Sequence, residues 1–322
     1  MQKIINNALF LVSLLILFIL FGFNEWNGDR DAYEDLFTGD SWMSTEPGYT
    51  FINNYFNEIG FTYDQFQAII ALICILLIGK YAMYNIKNRL LFIAFYGITL
   101  FPLDYVLIRN FLSFSLLIQG ISLLNSNKNR IFLYTVIILI SATIHQSAFL
   151  FIIFVFTKKE KINSQKFLLI ALSYFAIFFM AKNFIFSELG VIDHLLIYKQ
   201  TFKGGIANTI LHAIAILPAI YISKKYPNAS KNNNKIYNLN LLSILFFPLY
   251  FESEIFIRLL RVVIFLNACY FIDLPRIKPY ILYSFFYILI FSLFLFFQFN
   301  LPFFDDSVAP LLKNNKVINY IW

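Results

Sequence analysis

The chain has 322 residues, of which 60% are hydrophobic, 20% aromatic and only 13% charged, with 41 Phe and a mean hydropathy of +0.70. Those proportions exclude a water-soluble fold, and because the apolar residues run along the whole length they also exclude a soluble domain hung on one anchor. The net charge of +7 lies in short basic stretches between apolar runs, an arrangement that membrane topology produces and that speaks against a nucleic-acid partner.

The first apolar run, Ile4 to Phe23, follows Lys3 and has no small-residue cleavage motif after it, so it reads as a retained helix and not a signal peptide. The stretch Asn24 to Gln65 comes next. It carries Glu25, Asp29, Asp31, Glu34, Asp35, Asp40, Glu46, Glu58 and Asp64, opposed by Arg30 alone. A loop of this length is expected to be functional. Asp29, Tyr33 and Phe37 recur at i, i+4, i+8, the spacing of one face of a short helix. Glu46-Pro47-Gly48-Tyr49 opens a second amphipathic stretch, with Tyr49, Ile52, Tyr55, Phe56 and Ile59 expected on one side. Any one of these carboxylates reads most simply as solvated surface, but Glu46, beside a Pro-Gly turn, is held in place. Asp29-Arg30-Asp31 also spells a two-carboxylate pattern seen where divalent cations hold a diphosphate. No phosphate-cradling glycine loop accompanies it, so a nucleotide-sugar enzyme is disfavoured and no metal is assigned.

Further apolar runs follow at Phe66 to Tyr84, Leu90 to Leu103, Ile108 to Leu124, Ile131 to Phe156, Phe167 to Ala181, Ile206 to Tyr221, Leu239 to Phe251, Leu259 to Ile272 and Tyr280 to Phe299. Several are shorter than the roughly 20 residues a helix needs to cross a bilayer, which implies re-entrant or extended helices around polar cavities. Ile131 to Phe156 is interrupted by Ser141-Ala142-Thr143-Ile144-His145-Gln146-Ser147 and has basic flanks, so it reads as a bent hairpin. The expected fold is therefore all-α and polytopic. It is one membrane domain over residues 1–322 with ten or eleven membrane segments, an outer-face loop at 24–65 and an outer tail at 300–322. With the N-terminus inside, most Lys and Arg fall on the inner side while only Glu160 and Asp273 do so among the acids, which leaves the outer face negative. Cys74 and Cys269 both sit inside apolar runs and suggest neither a disulfide nor a thiolate metal site.

Several charged or titratable positions stand out within or beside the apolar runs. Arg109 opens an apolar helix on the outer half, where a charge costs about 2.5–3.5 kcal/mol and must meet a partner or a wet cavity. Asp104, five residues earlier, is poorly spaced to pair with it, and the readings are a snorkelling arginine or an anion clamp. His145 reads equally as a buried imidazole bonded to the neighbouring serines or as a catalytic or phosphate-binding ring. His194 and His212 make weaker cases, and no spacing among the three suits zinc. Glu254 and Arg258 form an i, i+4 pair, while Arg261, on the same face, completes a two-guanidinium fork suited to phosphate oxygens.

Taken in order, Asp29, Tyr33, Phe37, Glu46-Pro47-Gly48-Tyr49, Ile108-Arg109-Asn110, Ile144-His145-Gln146-Ser147-Ala148 and Arg258 with Tyr270 resemble the EpsG-like family of bacterial polysaccharide polymerases, which are Wzy-type. The family often has Arg-Gln-x-x-Ala where this chain has Arg109-Asn110-Phe111-Leu112-Ser113, and His-His or His-Lys where it has His145-Gln146. The resemblance implies a glycosyltransferase of the GT-C-like kind that joins polyprenyl-diphosphate-linked oligosaccharide repeat units into capsule, exopolysaccharide or O-antigen. It would work without cofactor or metal on the outer face of the bacterial cytoplasmic membrane. Arg109, His145 and Arg258 would be catalytic, and Arg261, Asp29, Glu46, Tyr49 and Tyr33 would bind substrate. Partners would be the lipid-linked oligosaccharide, membrane lipid and a chain-length regulator protein. A glycolipid flippase and an outer-face glycan ligase are the alternatives, although no matched halves of the inverted-repeat transporter kind are visible.

Overall fold

The computed structural model describes residues 2–39, 46–124, 128–157, 160–188, 200–228, 230, 232–275 and 308–321. Among them every regular element is helical, and an antiparallel bridge joins Asn24 and Asn315. Four helices, Ile4–Gly22, Tyr63–Asn85, Ser164–Lys182 and Phe202–Lys225, are long and apolar enough to cross a membrane. The run Tyr280 to Phe299, residues 300–307 and 322 of the tail, Asp40 and His194 lie outside the described residues.

The described residues divide into two compact units, one drawn from Met1–Leu124, Asn129–Ile152 and Ile288–Trp322, the other from Asn125–Lys128 and Ile153–Tyr287. In the first, α1 (Gln2–Gly22) packs on α4 (Tyr63–Asn85) and α5 (Arg89–Thr99), and α4 packs on α7 (Ile108–Leu123). The loop after α1 folds into α2 (Arg30–Thr38) and α3 (Pro47–Glu58). Thr62 and Gln65 form a reciprocal capping box that starts α4 and ends this loop. Phe66 of α4 collects the inward rings of both loop helices, at 5.1 Å from Phe37, 5.6 Å from Phe56 and 6.2 Å from Tyr49.

The loop helices depart from the expected faces. On α2 the buried residues are Arg30, Tyr33 and Phe37, while Asp29 is the half-buried residue before the helix. On α3 the buried residues are Tyr49 and Asn53; Tyr55 and Ile59 are exposed. At about 100° per residue Tyr55 stands about 120° round the helix from Tyr49, too far to share its face.

The short run Leu90 to Leu103 resolves into α5 and a single turn, α6 (Phe101–Asp104), with Pro102 in its first turn. The chain then enters α7 at Ile108. Asp104 is fully buried and accepts a 2.7 Å hydrogen bond from the Tyr96 hydroxyl. The run 131–156 breaks where its polar insert lies: α8 (Lys128–Ile144) ends, His145 is the joint, and a 3-10 helix spans Gln146–Phe156. The Tyr134 hydroxyl donates to the Phe151 carbonyl at 2.5 Å, so the two arms meet again.

A C-terminal strap closes this unit. α13 (Ala309–Lys313) and α14 (Lys316–Ile321) flank Asn314 and Asn315, which lie against the end of α1. The Glu25 amide donates to the Asn314 carbonyl at 2.7 Å, the Lys316 amide to the Phe23 carbonyl at 3.0 Å, and the Asn24 side chain to the Pro310 carbonyl at 2.9 Å.

In the second unit α10 (Phe202–Lys225) packs on α11 (Asn233–Ser243), the 3-10 segment Ile244–Phe251 and α12 (Ile257–Ile272), and that 3-10 segment also packs on α9 (Ser164–Glu188). Its centre is threaded by polar side chains. Asn240 and Asn267 exchange amide hydrogen bonds at 2.8 and 2.7 Å, and Asn267 also donates to the Ala215 carbonyl at 3.0 Å. Such pairing removes the cost of burying amides among apolar helices.

Candidate functional site

Glu46 occupies the N-cap of α3, in extended backbone before Pro47, and its carbonyl accepts the Thr50 amide at 3.0 Å. Proline at the first helical position loses no hydrogen bond and fixes the turn. The side chain is thereby aimed at the unit's interior, and 8% of Glu46 remains exposed. Gly48 allows the approach. A Cβ there would clash with the Thr143 hydroxyl and lie 2.9 Å from the Thr143 backbone carbon, so α3 touches the end of α8 only because residue 48 has no side chain.

A guanidinium and an imidazole converge on this carboxylate. Arg109 Nη1 donates to Glu46 Oε2 at 2.7 Å, and His145 Nδ1 lies 2.8 Å from Glu46 Oε1. The Gln146 amide points at the same Oε1 from 3.4 Å. Arg109 comes from the first turn of α7, where the positive end of a helix is a poor place for a cation unless an anion is present. Glu46 is that anion, 63 residues earlier. Asp104 does not take this part, in keeping with its unsuitable spacing. His145 sits at the helix break because the chain must turn there, and its amide still reaches the Ser141 carbonyl at 2.9 Å. Ser113 of α7 donates to that same carbonyl at 2.9 Å, tying the helix that carries Arg109 to the break that carries His145. The imidazole is therefore bonded to Glu46 and not to the flanking serine hydroxyls that the simple structural reading expected.

Burial raises the Glu46 carboxyl, but the His145 hydrogen bond and the charges of Arg109 and His145 together outweigh it and hold the group at about 2. It is thus a carboxylate at all working pH values, an acceptor only, so a proton on His145 Nδ1 faces it. Nδ1 is thus the ring nitrogen turned to Glu46, and Nε2 is the one turned away from it. Glu46 holds the guanidinium on one oxygen and the imidazole on the other.

Tyr33 and Tyr49 roof the arginine. The guanidinium carbon lies 5.7 Å from the Tyr33 ring centre and 5.9 Å from that of Tyr49, and the two rings meet edge to face at 6.1 Å. Tyr49 is fully buried, and burial pushes its phenol well above its ordinary value, so it stays neutral. Arg109 itself keeps 26% of its side chain exposed, while Glu46 and His145 keep 10% and 9%. The arginine is the open side of the cluster.

The structure thus brings together Arg109, His145, Glu46, Tyr33 and Tyr49. Asp29 stands at the start of α2, its amide bonded to Asn27 Oδ1 at 3.1 Å. Arg258 and Arg261 belong to the second unit, in the first two turns of α12, the former half-buried and the latter 3% exposed. The side chain of Glu254, expected to pair with Arg258, lies outside the described residues. Glu252 pairs with Lys182 of α9 at 2.9 Å, a partner that the sequence pattern does not suggest. His212 is buried between hydroxyls, with Nδ1 2.6 Å from Tyr250 and Nε2 3.0 Å from Ser243, which satisfies a neutral ring and leaves it a packing role.

The EpsG family model matches residues 7–322 of the chain. No curated protein and no solved structure matches it.

Proposed function

Since this chain belongs to the EpsG-like polysaccharide polymerase family and is a membrane protein, we propose that it joins polyprenyl-diphosphate-linked oligosaccharide repeat units into a surface polysaccharide, at the outer face of the bacterial cytoplasmic membrane. The observation that carries this reading is the Arg109–Glu46–His145 cluster. It supplies a partly exposed guanidinium for an anionic leaving group and an oriented imidazole for a hydroxyl proton.

The reaction needs few parts. The acceptor hydroxyl oxygen attacks the anomeric carbon of the donor sugar and forms the new C–O bond. The bond from that carbon to the diphosphate oxygen breaks, and its electron pair leaves with polyprenyl diphosphate. His145 Nε2 receives the hydroxyl proton, and Glu46 stabilises the imidazolium that results. Arg109 donates to the diphosphate oxygens as charge gathers on them, in surroundings where Tyr33 and Tyr49 exclude water. The energy is that of the sugar–diphosphate bond, and neither a nucleotide nor a metal ion is assigned a part. Arg258 and Arg261 are proposed, from their fork-like spacing alone, to bind phosphate oxygens.

The test supplies purified protein in detergent with a lipid-linked repeat unit and resolves the products by length. A ladder of glycans in wild type, lost in R109A and H145A protein that still inserts, is the expected result. Full ladders from both variants refute the site, and a wild type that makes no longer product refutes the polymerase reading.

A further inference from the structure

The acidic outer loop contains one buried cation that the proposed reaction does not use. Arg30, at the first turn of α2, is 8% exposed and is held from four directions. Nη1 donates to the Asn24 carbonyl at 2.7 Å and to Gln67 Oε1 at 3.3 Å, Nη2 pairs with Asp64, and Nε lies 3.5 Å from Glu34. Its guanidinium carbon also stands 5.0 Å from the centre of the Tyr63 ring. Asp64 in turn pairs with Lys316 of the C-terminal strap, and Gln67 donates to the Phe21 and Asn24 carbonyls at 2.9 and 2.8 Å.

Residue 33 follows residue 30 by three positions, so both project from the same side of α2, and both are buried there. Holding the arginine therefore fixes the rotation and depth of the helix that lowers Tyr33 over Arg109. A surface ion pair such as Asp64–Lys316 contributes little alone. A buried guanidinium is different, because removing any of its acceptors leaves a desolvated charge, and so the geometry is held tightly.

We propose that Arg30 is a positioning residue for the Arg109 centre, acting through Tyr33: locked by Asn24, Gln67 and Asp64, it sets the aromatic roof that covers the catalytic guanidinium. The inference rests on the polymerase reading for its activity measurement and stands apart from it in a second measurement. Arg30 touches no group proposed to react, so its loss must be relayed by α2.

The experiment compares R30M, Y33A and the double variant in full-length protein. Polymerisation rates are measured with the lipid-linked repeat unit, and phenylglyoxal modification of Arg109 is followed by peptide mass spectrometry. R30M is expected to lower the rate about tenfold in the wild-type background and less than about twofold in the Y33A background, since the two act through one element. Arg109 should be modified at least about threefold faster in R30M, as in Y33A, because the same roof is displaced. If R30M does not insert, D64N, which keeps the arginine and removes its carboxylate, takes its place with the same expectations. Rate losses that simply multiply in the double variant, or Arg109 modified at the wild-type rate, overturn the proposal. A wild type with no polymerase activity removes the function proposed above, while the modification rates still decide the role of Arg30.

Discussion

Glu46 and His145, 99 residues apart in the chain, share a hydrogen bond of 2.8 Å in the interior of the first unit. The same carboxylate meets Arg109 through its other oxygen. One acidic side chain thereby sets the spacing between a guanidinium and an imidazole that no local pattern connects.

Replacing Glu46 with Gln keeps the shape and removes the charge. An amide offers one oxygen and one donor nitrogen where both present partners need acceptors, so either Arg109 or His145 faces an N–H. Polymer formation should fall by about a hundredfold, with E46D retaining more activity than E46Q. Product ladders from purified variants, normalised to inserted protein, check this.

The charge on Glu46 also makes an acid-stability prediction. Its folded value of about 2 lies below the ordinary 4.5. The stabilisation, roughly 3 kcal/mol in principle, is fully present above about pH 4.5 and is lost as pH falls toward 2. Thermal unfolding in detergent should show wild type above E46Q at pH 6, with the gap closing between pH 4.5 and 2.5. A gap that stays constant with pH would show that the carboxylate titrates normally.

Gly48→Ala tests the approach of α3 to α8. The added carbon meets Thr143 at both its hydroxyl and its backbone, the latter at 2.9 Å. Overpacking of this kind costs about 1–3 kcal/mol and should move Glu46 away from His145. Activity should drop, and T143A should restore only part of it, since shortening residue 143 relieves the hydroxyl contact and leaves the backbone one. Paired melting and product assays distinguish partial from full restoration.

His212 serves as the contrasting imidazole. H212F removes the ring that satisfies the Tyr250 and Ser243 hydroxyls, which should lower stability by about 1–3 kcal/mol. The rate per folded molecule should stay near that of wild type. H145F should abolish chain extension and also lower the melting temperature, because the buried Glu46 carboxylate loses its 2.8 Å partner.

Much of the helical layout is legible from apolar runs, because lipid and a helical core both demand them. The exception is at short runs: Leu90 to Leu103 holds a helix, a break and one further turn, a subdivision that Pro102 hints at and hydropathy averages away. Arg109 and His145 stand out because each is a polar group in an apolar run. Glu46 is distinguished from the other loop acids by its Pro-Gly neighbours, yet its two-sided pairing depends on tertiary packing that no spacing encodes. Arg30 carries a signal too, as the lone base among acids, but solvation explains such a residue equally well until its burial is seen. On α3 an apolar count favours Tyr55 and Ile59 as inward residues, whereas helical geometry gives the place to Asn53.

The stitch between Asn24 and the Pro310–Lys316 strap has a consequence for biosynthesis. The Asn24 side chain and its Pro310 acceptor are separated by 286 residues, so during translation Asn24 finds this partner only once residue 310 has been made. Until those late residues arrive, Lys316 cannot reach Asp64. A chain truncated before residue 310 keeps Glu46, Arg109 and His145 but lacks the partners that Asn24 and Asp64 find at Pro310 and Lys316.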